Sequence, residues 1–279
     1  MRAHLVQSEI VWEDKPANRA WVAGALERAQ REGIVREGDL VVLPELFDTG
    51  FSFRLDVTSD DDETTLKWIQ QEARRLGITL QGSRTVRGGD GKGRNRVSVA
   101  GPDGQVICEY DKVHPFSIGS ESQYFTGGEA VKTYEWNDGA DKAVVCPVIC
   151  YDLRFPELFR RGMKMGAEVF AVVANWPGVR SMHRLTLSRA RAIENQACVL
   201  SVNRCGRDPH LVYDGGTAAF DAKGEIIPSA PGWGGGGLVR GSTAGELNDQ
   251  AGILSVEIDI AALRAWRGTF PALRDAKWA

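Results

Sequence analysis

Apolar runs alternate along the chain with segments of helical periodicity. Buried-strand patterns occur at six places: 39–45, 77–82, 143–150, 167–174, 198–203 and 253–258. Helical patterns cover 16–31, 61–76 and 181–196, another helix starts near Pro156, and a short helix follows the last strand. Turn sequences at 102–104 and 221–224 predict hairpins over about 96–110 and 216–227. Strand–helix–strand units mixed with hairpins predict mixed sheets covered by helices, a layered α/β sandwich.

Length and composition are those of an ordinary globular protein. The chain has 279 residues, 43% hydrophobic and 25% charged, which suits one large α/β domain over 1–279. A net charge of −3 gives no reason to expect nucleic acid or an anionic membrane as a partner. No apolar stretch approaches the ~20 residues of a transmembrane helix. The N-terminus lacks a signal-peptide pattern, so we predict a cytoplasmic protein.

The cysteine and histidine pattern predicts neither disulfides nor a metal site. There are five cysteines, an odd number, and the chain shows no export signal, so reduced thiols are expected. Close cysteine pairs do not recur and the four histidines are scattered, so we predict no metal and no other cofactor. Cys146 and Cys150 would point to the same face if one strand contained both.

Three clusters of polar residues follow strand patterns, where α/β enzymes often place chemistry. Glu45 follows an apolar run, and a buried carboxylate there suits a general base, although it could simply reach solvent. Lys112 ends a hairpin, where it could stabilise an oxyanion or protect a sheet edge. Near it, His114 could pair with a cysteine, but we favour a packing or hydrogen-bonding role.

The third cluster begins at Cys150, at a predicted strand-to-helix junction. A sharp turn there would expose the sulfur, and the backbone N–H of Tyr151 could help to bind an oxyanion. A nearby helix N-terminus would favour the thiolate. The alternative is a buried structural cysteine, the commoner fate of this residue type.

One long segment has no regular pattern. Residues 231–250 are rich in glycine and too long for an ordinary turn. We interpret them as a surface insertion that could cover a pocket, and a mobile loop without function is an equal alternative. The stretch Gly88–Gly93 does not predict nucleotide binding, because no Gly-Lys-Ser/Thr follows a strand.

Taken together, the clusters resemble the carbon–nitrogen hydrolase family, also called the nitrilase superfamily, and within it the ω-amidases. The matching segments occur in the family's order: Pro44-Glu45, Tyr110-Asp111-Lys112, Ile149–Pro156, Ala174-Asn175-Trp176-Pro177 and Arg189–Gln196. The resemblance covers the chain from about Leu5 to the last helix, apart from the glycine-rich stretch. It implies a four-layer αββα sandwich with two mixed central sheets, usually a homodimer.

The resemblance also implies a mechanism and a set of roles. Cys150 would be the nucleophile, Glu45 the general base, and Lys112 with the Tyr151 N–H the oxyanion stabilisers. The family's second active-site glutamate is assigned to Glu121, with Glu129 as the alternative. The implied substrate is a small amide, in particular the terminal amide of a 2-oxo acid such as 2-oxoglutaramate or 2-oxosuccinamate. The reaction would release ammonia through a cysteine thioester.

Substrate contacts are assigned by position. Arg154 is the candidate for a substrate carboxylate, or else forms a salt bridge with Glu157 or Glu194. Phe116 and Trp176 are candidate pocket walls, or else core residues. The 189–196 segment is interpreted as structural, with Glu194 and Asn195 bonding neighbouring loops.

Two alternative functions stay open at this stage. The same triad could act on another amide, a carbamoyl amine or a nitrile. A protein of another class, a catalytically silent binding protein, could keep the fold, although intact Glu45, Lys112 and Cys150 argue against it.

Overall fold

The computed structural model describes residues 1–229 and 249–277, which form two β-sheets flanked by helices. The strands are β1 Arg2–Gln7, β2 Leu40–Val42, β3 Thr79–Arg87, β4 Gly93–Ala100, β5 Val106–Asp111, β6 Tyr134–Asn137, β7 Lys142–Ile149, β8 Val169–Ala174, β9 Cys198–Asn203, β10 Cys205–Arg207, β11 Val212–Asp214, β12 Ala218–Phe220 and β13 Gly252–Glu257. The helices are α1 Lys15–Arg31, α2 Leu55–Thr58, α3 Thr64–Leu76, α4 Glu121–Tyr124, α5 Pro156–Lys164, α6 Ser181–Asn195, α7 Ile260–Thr269 and α8 Ala272–Asp275. Short 3₁₀ segments cover Cys150–Arg154 and Gly178–Arg180.

Both large sheets are mixed. The first has the order β13-β1-β2-β3-β4-β5, with parallel pairing of β1, β2 and β3 and antiparallel pairing elsewhere. The second has the order β12-β9-β8-β7-β6, with β7, β8 and β9 parallel and antiparallel strands at both edges. Strands β10 and β11 form a separate small ribbon.

The two sheets pack face to face. Leu5 and Val97 of the first sheet share a buried cluster with Val148 and Val172 of the second, as the alternation of strand side chains requires. A buried hydrogen bond crosses between the sheets, because the Gln81 amide donates to the carbonyl of residue 171 at 3.3 Å.

Helices cover the outer faces. Val22 of α1 and Ile69 of α3 pack with Val41 on the outside of the first sheet. On the second sheet, Phe159 of α5 lies against Phe170, with ring centroids 4.8 Å apart. The layer order is therefore helix–sheet–sheet–helix, the αββα sandwich that the sequence predicted.

The predicted elements are present, with some shifted ends. The run at 39–45 forms only a three-residue strand, and the polar residues at its ends lie outside the ladder. The helix predicted from Asp61 begins at Thr64, because the Asp60 carboxylate accepts the Thr65 and Leu66 N–H groups at 2.8 and 3.0 Å. The second hairpin is reduced to β12 and a single bridge between Phe220 and Ile226.

Four strands were not predicted: β1, β6, β10 and β11. Strand β1 lies between β13 and β2 and is buried on both faces, so it lacks the polar–apolar alternation that marks an exposed strand. The other three are only three or four residues long. Of the glycine-rich stretch 231–250, all but the last two residues lie outside the described part. No helix among the described residues has the length and apolar character needed to cross a bilayer.

Candidate active site

Three strand ends bring the predicted triad together. Glu45 follows β2, Lys112 follows β5 and Cys150 follows β7. Two antiparallel pairings separate β5 from β3, so β5 runs in the same direction as β2 and both strands end at the same edge of the sheet. The Lys112 Nζ lies 3.0 Å from the Glu45 Oε1, and both side chains are buried, at 2% and 0% exposure.

The Glu45 carboxylate is fixed by several hydrogen bonds. The Asn95 side chain donates to Oε1 at 2.7 Å, and the backbone N–H of Asn175 donates to Oε2 at 2.7 Å. The next residue, Leu46, has a left-handed backbone with φ +44°, and its N–H donates to the Ser83 hydroxyl at 3.0 Å. Such a conformation costs a non-glycine residue on the order of 1 kcal/mol or more, so the surrounding contacts hold this turn in place.

Glu121 lies on the other side of Lys112. Its carboxylate oxygens are 2.9 and 3.1 Å from Nζ, and it also accepts the backbone N–H of Phe116. Glu121 is fully buried, whereas the alternative Glu129 is exposed. The structure therefore places Glu121, not Glu129, against the lysine.

The charges of this cluster depend on each other. Burial by itself would lower the pKa of Lys112, but the negative charges of Glu121 and Glu45 outweigh burial and raise it. The pKa of Glu121 is raised, mainly by burial, although Lys112 opposes the rise. Lys112 is therefore a permanent cation at the bottom of the site.

Cys150 lies on a sharp turn directly after β7. Its φ is +46°, and it begins the 3₁₀ segment that leads into α5. Because the strand ends at Ile149, Cys150 leaves the ladder and lines a pocket, whereas Cys146 is fully buried in the core. The strand predicted over 143–150 therefore ends one residue early, and the condition under which both cysteines would share a strand face is not met.

The resting sulfur is a thiol. Burial, followed by the negative charge of Glu45, raises the pKa of Cys150 well above its usual range, and the charge of Lys112 opposes this only in part. The helix N-terminus was expected to lower the pKa of this thiol, but any such effect does not outweigh burial and the charge of Glu45. Attack by the sulfur needs a base that removes its proton as the new bond forms.

Asp152 ties the cysteine turn to the hairpin that carries Lys112. Its carboxylate accepts the Tyr110 hydroxyl at 2.6 Å and the backbone N–H of His114 at 2.9 Å. The His114 ring is also bonded to Asp152, at 2.8 Å, and stacks on Phe155. His114 thus has the packing and hydrogen-bonding role that we favoured over a pairing with cysteine.

A helix behind the turn supports it. The Arg191 guanidinium donates twice to the Leu153 carbonyl, at 3.1 and 2.9 Å, and pairs with Glu194 at 3.0 Å. The 189–196 segment therefore has a structural role. The contact with the neighbouring turn is made by Arg191. The side chain of Asn195, which was expected to bond a neighbouring loop, instead donates to the Arg191 carbonyl within the same helix.

The pocket is partly open to solvent, and the empty space in and above it is about 450 Å³. It is lined by Phe51, Lys112, Phe116, Cys150, Tyr151, Arg154, Asn175, Trp176, Pro177, Arg180, Leu211 and Tyr213. All three predicted substrate contacts are in this set, together with Tyr151. The Arg154 guanidinium lies 4.8 Å from the Trp176 ring and forms no ion pair with Glu157 or Glu194.

Several lining or supporting residues were missed by sequence reasoning. Phe51, Arg180, Leu211 and Tyr213 come from loops, a 3₁₀ segment and a short strand that carry no chemical motif. Asn95 lies within β4 between Arg94 and Arg96, and such a polar run does not reveal that the asparagine side chain is buried. Asn175 belongs to the segment Ala174-Asn175-Trp176-Pro177, which the sequence analysis had already matched to the family, so the sequence did give a signal for this residue. Within residues 1–229 and 249–277, no group of three or more His, Cys, Asp or Glu side chains is arranged to hold a metal ion.

Comparisons with known proteins agree with this geometry. The family model described as carbon-nitrogen hydrolase matches residues 2–268. The chain belongs to the carbon–nitrogen hydrolase family. This confirms the predicted family and enzyme class, a carbon–nitrogen hydrolase of the amidase type.

Proteins of similar sequence align with this chain over most of its length. An omega-amidase, YafV, from Yersinia enterocolitica is 33% identical over 99% of this chain and 96% of its own length. A 2-oxoglutaramate amidase from Bacillus subtilis is 31% identical over 87% of this chain and 86% of its own. The crystal structure of XC1258 from Xanthomonas campestris, a CN-hydrolase superfamily protein with an arsenic adduct in its active site, has a TM-score of 0.84. It is 34% identical and covers 99% of this chain and 97% of its own. The predicted fold class is thereby confirmed.

Proposed function

We propose that this hydrolase cleaves the terminal amide of a small 2-oxo acid through a thioester on Cys150. The observation that carries the proposal is the convergence of a thiol, a buried carboxylate and a buried ammonium group on one pocket that also contains arginine. The names of the relatives in Yersinia and Bacillus support the substrate class.

The first half of the reaction forms the thioester. The Cys150 sulfur attacks the amide carbon while Glu45 accepts the thiol proton, since the raised pKa of the thiol requires a base. The negative charge that develops on the amide oxygen is stabilised by the Lys112 ammonium and the Tyr151 N–H. Tyr151 is in the first turn of a 3₁₀ segment, where N–H groups lack an acceptor within the helix. The C–N bond then breaks, Glu45 passes the proton to nitrogen, and ammonia leaves.

The second half removes the acyl group. Glu45 accepts a proton from water, the resulting oxygen attacks the thioester carbon, and the C–S bond breaks. The proton returns to the sulfur, which regenerates the thiol and releases the carboxylic acid.

Glu121 has a positioning role in this mechanism. Without Glu121, the Lys112 ammonium would pair with Glu45 alone, the residue that must accept the thiol proton. The contacts from Lys112 to Glu121, at 2.9 and 3.1 Å, hold the ammonium between the two carboxylates. Removing either partner of such a buried cluster leaves an uncompensated charge.

The pocket walls fit a small anionic substrate. Trp176 and Phe116 supply apolar surface, and Arg154 supplies a cation for a carboxylate.

Ammonia release from a panel of amides tests the substrate class. We expect 2-oxoglutaramate and 2-oxosuccinamate to be hydrolysed with higher kcat/KM than glutamine, asparagine, simple aliphatic amides, carbamoyl amines or nitriles. A panel in which a carbamoyl amine, a nitrile or a neutral aliphatic amide is the best substrate would contradict the proposal.

Three further predictions go with this proposal: a homodimer, a cytoplasmic location and a single domain over 1–279. Sedimentation of the purified protein measures the first. A species with the mass of one chain at micromolar concentration would contradict it.

A further inference from the structure

Two arginines share the wall of the catalytic pocket without a carboxylate partner. Arg154 and Arg180 both line it, and in the part of the chain that the structure describes neither forms an ion pair with an Asp or Glu. The third cation of the pocket, Lys112, is different, because Glu45 and Glu121 both contact it. The positive charge that is not locally compensated therefore belongs to the two guanidinium groups.

Aromatic rings hold these guanidinium groups. Arg154 lies over Trp176 at 4.8 Å and donates to the His183 Nδ1 at 3.4 Å. Arg180 lies over Phe116 at 5.7 Å, and its carbonyl accepts the Trp176 indole N–H at 2.8 Å. An aromatic face orients a guanidinium group without neutralising it, so its N–H donors stay available to a ligand.

The described residues that line this pocket include no Asp or Glu. A free ammonium group beside the two arginines would therefore find two like charges and no acidic partner among the lining residues, since the buried Glu45 is paired with Lys112. Like charges brought together in a partly buried site weaken binding strongly. A 2-oxo group has the opposite character, because its oxygen accepts hydrogen bonds as the adjacent carboxylate does.

We propose that Arg180 acts with Arg154 as a specificity determinant that accepts the 2-oxo acid end of the substrate and rejects 2-amino acids. The inference rests on the proposed function. The two guanidinium groups would donate to the carboxylate and the 2-oxo oxygen, which are neighbouring acceptors. Glutamine differs from 2-oxoglutaramate only at C2, where it carries an ammonium group, so discrimination between the two depends on this pair.

A series of four amides with the same five-carbon chain tests the idea. The compounds are 2-oxoglutaramate, glutaramate without a substituent at C2, glutamine, and neutral valeramide. They are assayed with the wild type, Arg180→Gln and Arg180→Lys. Arg28→Gln is the matched control, because Arg28 is an exposed arginine on α1, which packs on the other sheet.

We expect Arg180→Gln to raise KM for 2-oxoglutaramate by about tenfold or more with a smaller change in kcat, as loss of a charge contact in binding predicts. Its activity on valeramide should change by less than about threefold, and its preference for 2-oxoglutaramate over glutamine should narrow by about tenfold. Arg180→Lys should restore part of that preference, and Arg28→Gln should resemble the wild type.

Three results separate failure of this inference from failure of the proposed function. If the wild type prefers 2-oxoglutaramate but Arg180→Gln keeps the same preference over glutamine, Arg180 has no such role. An equal loss on all four amides would show a structural role and would also overturn the inference. If the wild type itself does not prefer the 2-oxo acid, the proposed function fails first.

Discussion

The two ends of strand β2 carry buried carboxylates with different surroundings. Asp39 precedes the strand and lies 2.9 Å from His4 Nε2, while His4 Nδ1 lies 2.8 Å from the Ser255 hydroxyl. Glu45 follows the strand and contacts Lys112. The first group has the Asp–His–Ser order of hydrolytic triads, yet we assign the chemistry to the second.

Access explains the difference. His4 is 0% exposed and Ser255 only 2%, so a substrate carbonyl cannot reach the serine. Cys150 instead lies on a left-handed turn and lines a pocket that is open to solvent. A set of residue types in hydrogen-bond order is therefore not sufficient for catalysis, because the nucleophile must also face a space that holds a substrate.

Replacing the cysteine of the Glu45 cluster and the serine of the Asp39 cluster should produce the largest contrast. Cys150→Ala should lower kcat for amide hydrolysis by about a thousandfold or more while the fold is retained, because no thioester can form. Ser255→Ala should change kcat by less than about threefold and lower the free energy of unfolding by about 1 kcal/mol. Ammonia release and urea unfolding measure both variants. A large loss of turnover in Ser255→Ala with unchanged unfolding would reverse the assignment.

Removing the cation from the catalytic cluster should have the next largest effect. Lys112→Met leaves Glu45 and Glu121 as buried, unpaired carboxylates, so we expect a loss of about 3–5 kcal/mol in the free energy of unfolding. Urea unfolding at neutral pH measures it. Adding Glu121→Gln should recover part of this stability without restoring activity. If the single variant were as stable as the wild type, the cluster would not hold the charges assigned here.

The Asp39 end should respond to pH in a smaller and purely structural way. Burial lowers the pKa of His4 below 6.5, although the hydrogen bond to Asp39 opposes it, and Arg2 and Arg36 add to the lowering. The unfolded chain therefore takes up a proton as pH falls through about 6.5 while the native His4 resists it, so stability is lost at low pH. The slope for one group is at most about 1.4 kcal/mol per pH unit.

His4→Gln isolates that effect. Urea unfolding at about pH 8 and pH 5.5 should show a smaller loss on acidification in the variant than in the wild type, because the other titrating groups are shared. Identical losses in both proteins would show that His4 is not the group responsible.

The same strand shows what the sequence could and could not predict. The apolar run with Asp39 at one end and Glu45 at the other is nearly symmetric in pattern. Its position after the run made Glu45 a candidate general base, and the resemblance to a family then decided between that role and simple exposure to solvent. The other two members of this group, His4 and Ser255, come from β1 and β13, at opposite ends of the chain, so local pattern could not reveal them. Arg180 was missed for the same reason, since its place at the pocket depends on how a loop folds against Phe116.

Turn geometry was only partly visible. A junction at Cys150 was predicted from strand and helix signals, but its left-handed backbone was not, because no glycine marks it. The same holds for Leu46, the residue that follows Glu45. Both conformations are imposed by the contacts around them, which belong to the tertiary structure.

Trapping the acyl-enzyme tests the central claim most directly. Wild-type protein is mixed with 2-oxoglutaramate, quenched in acid within the first turnovers, and digested for mass spectrometry. The account predicts an acyl adduct, the substrate less ammonia, on the peptide that contains Cys150, and no adduct in Cys150→Ala. An adduct on another residue, or undiminished ammonia release from Cys150→Ala, would contradict it.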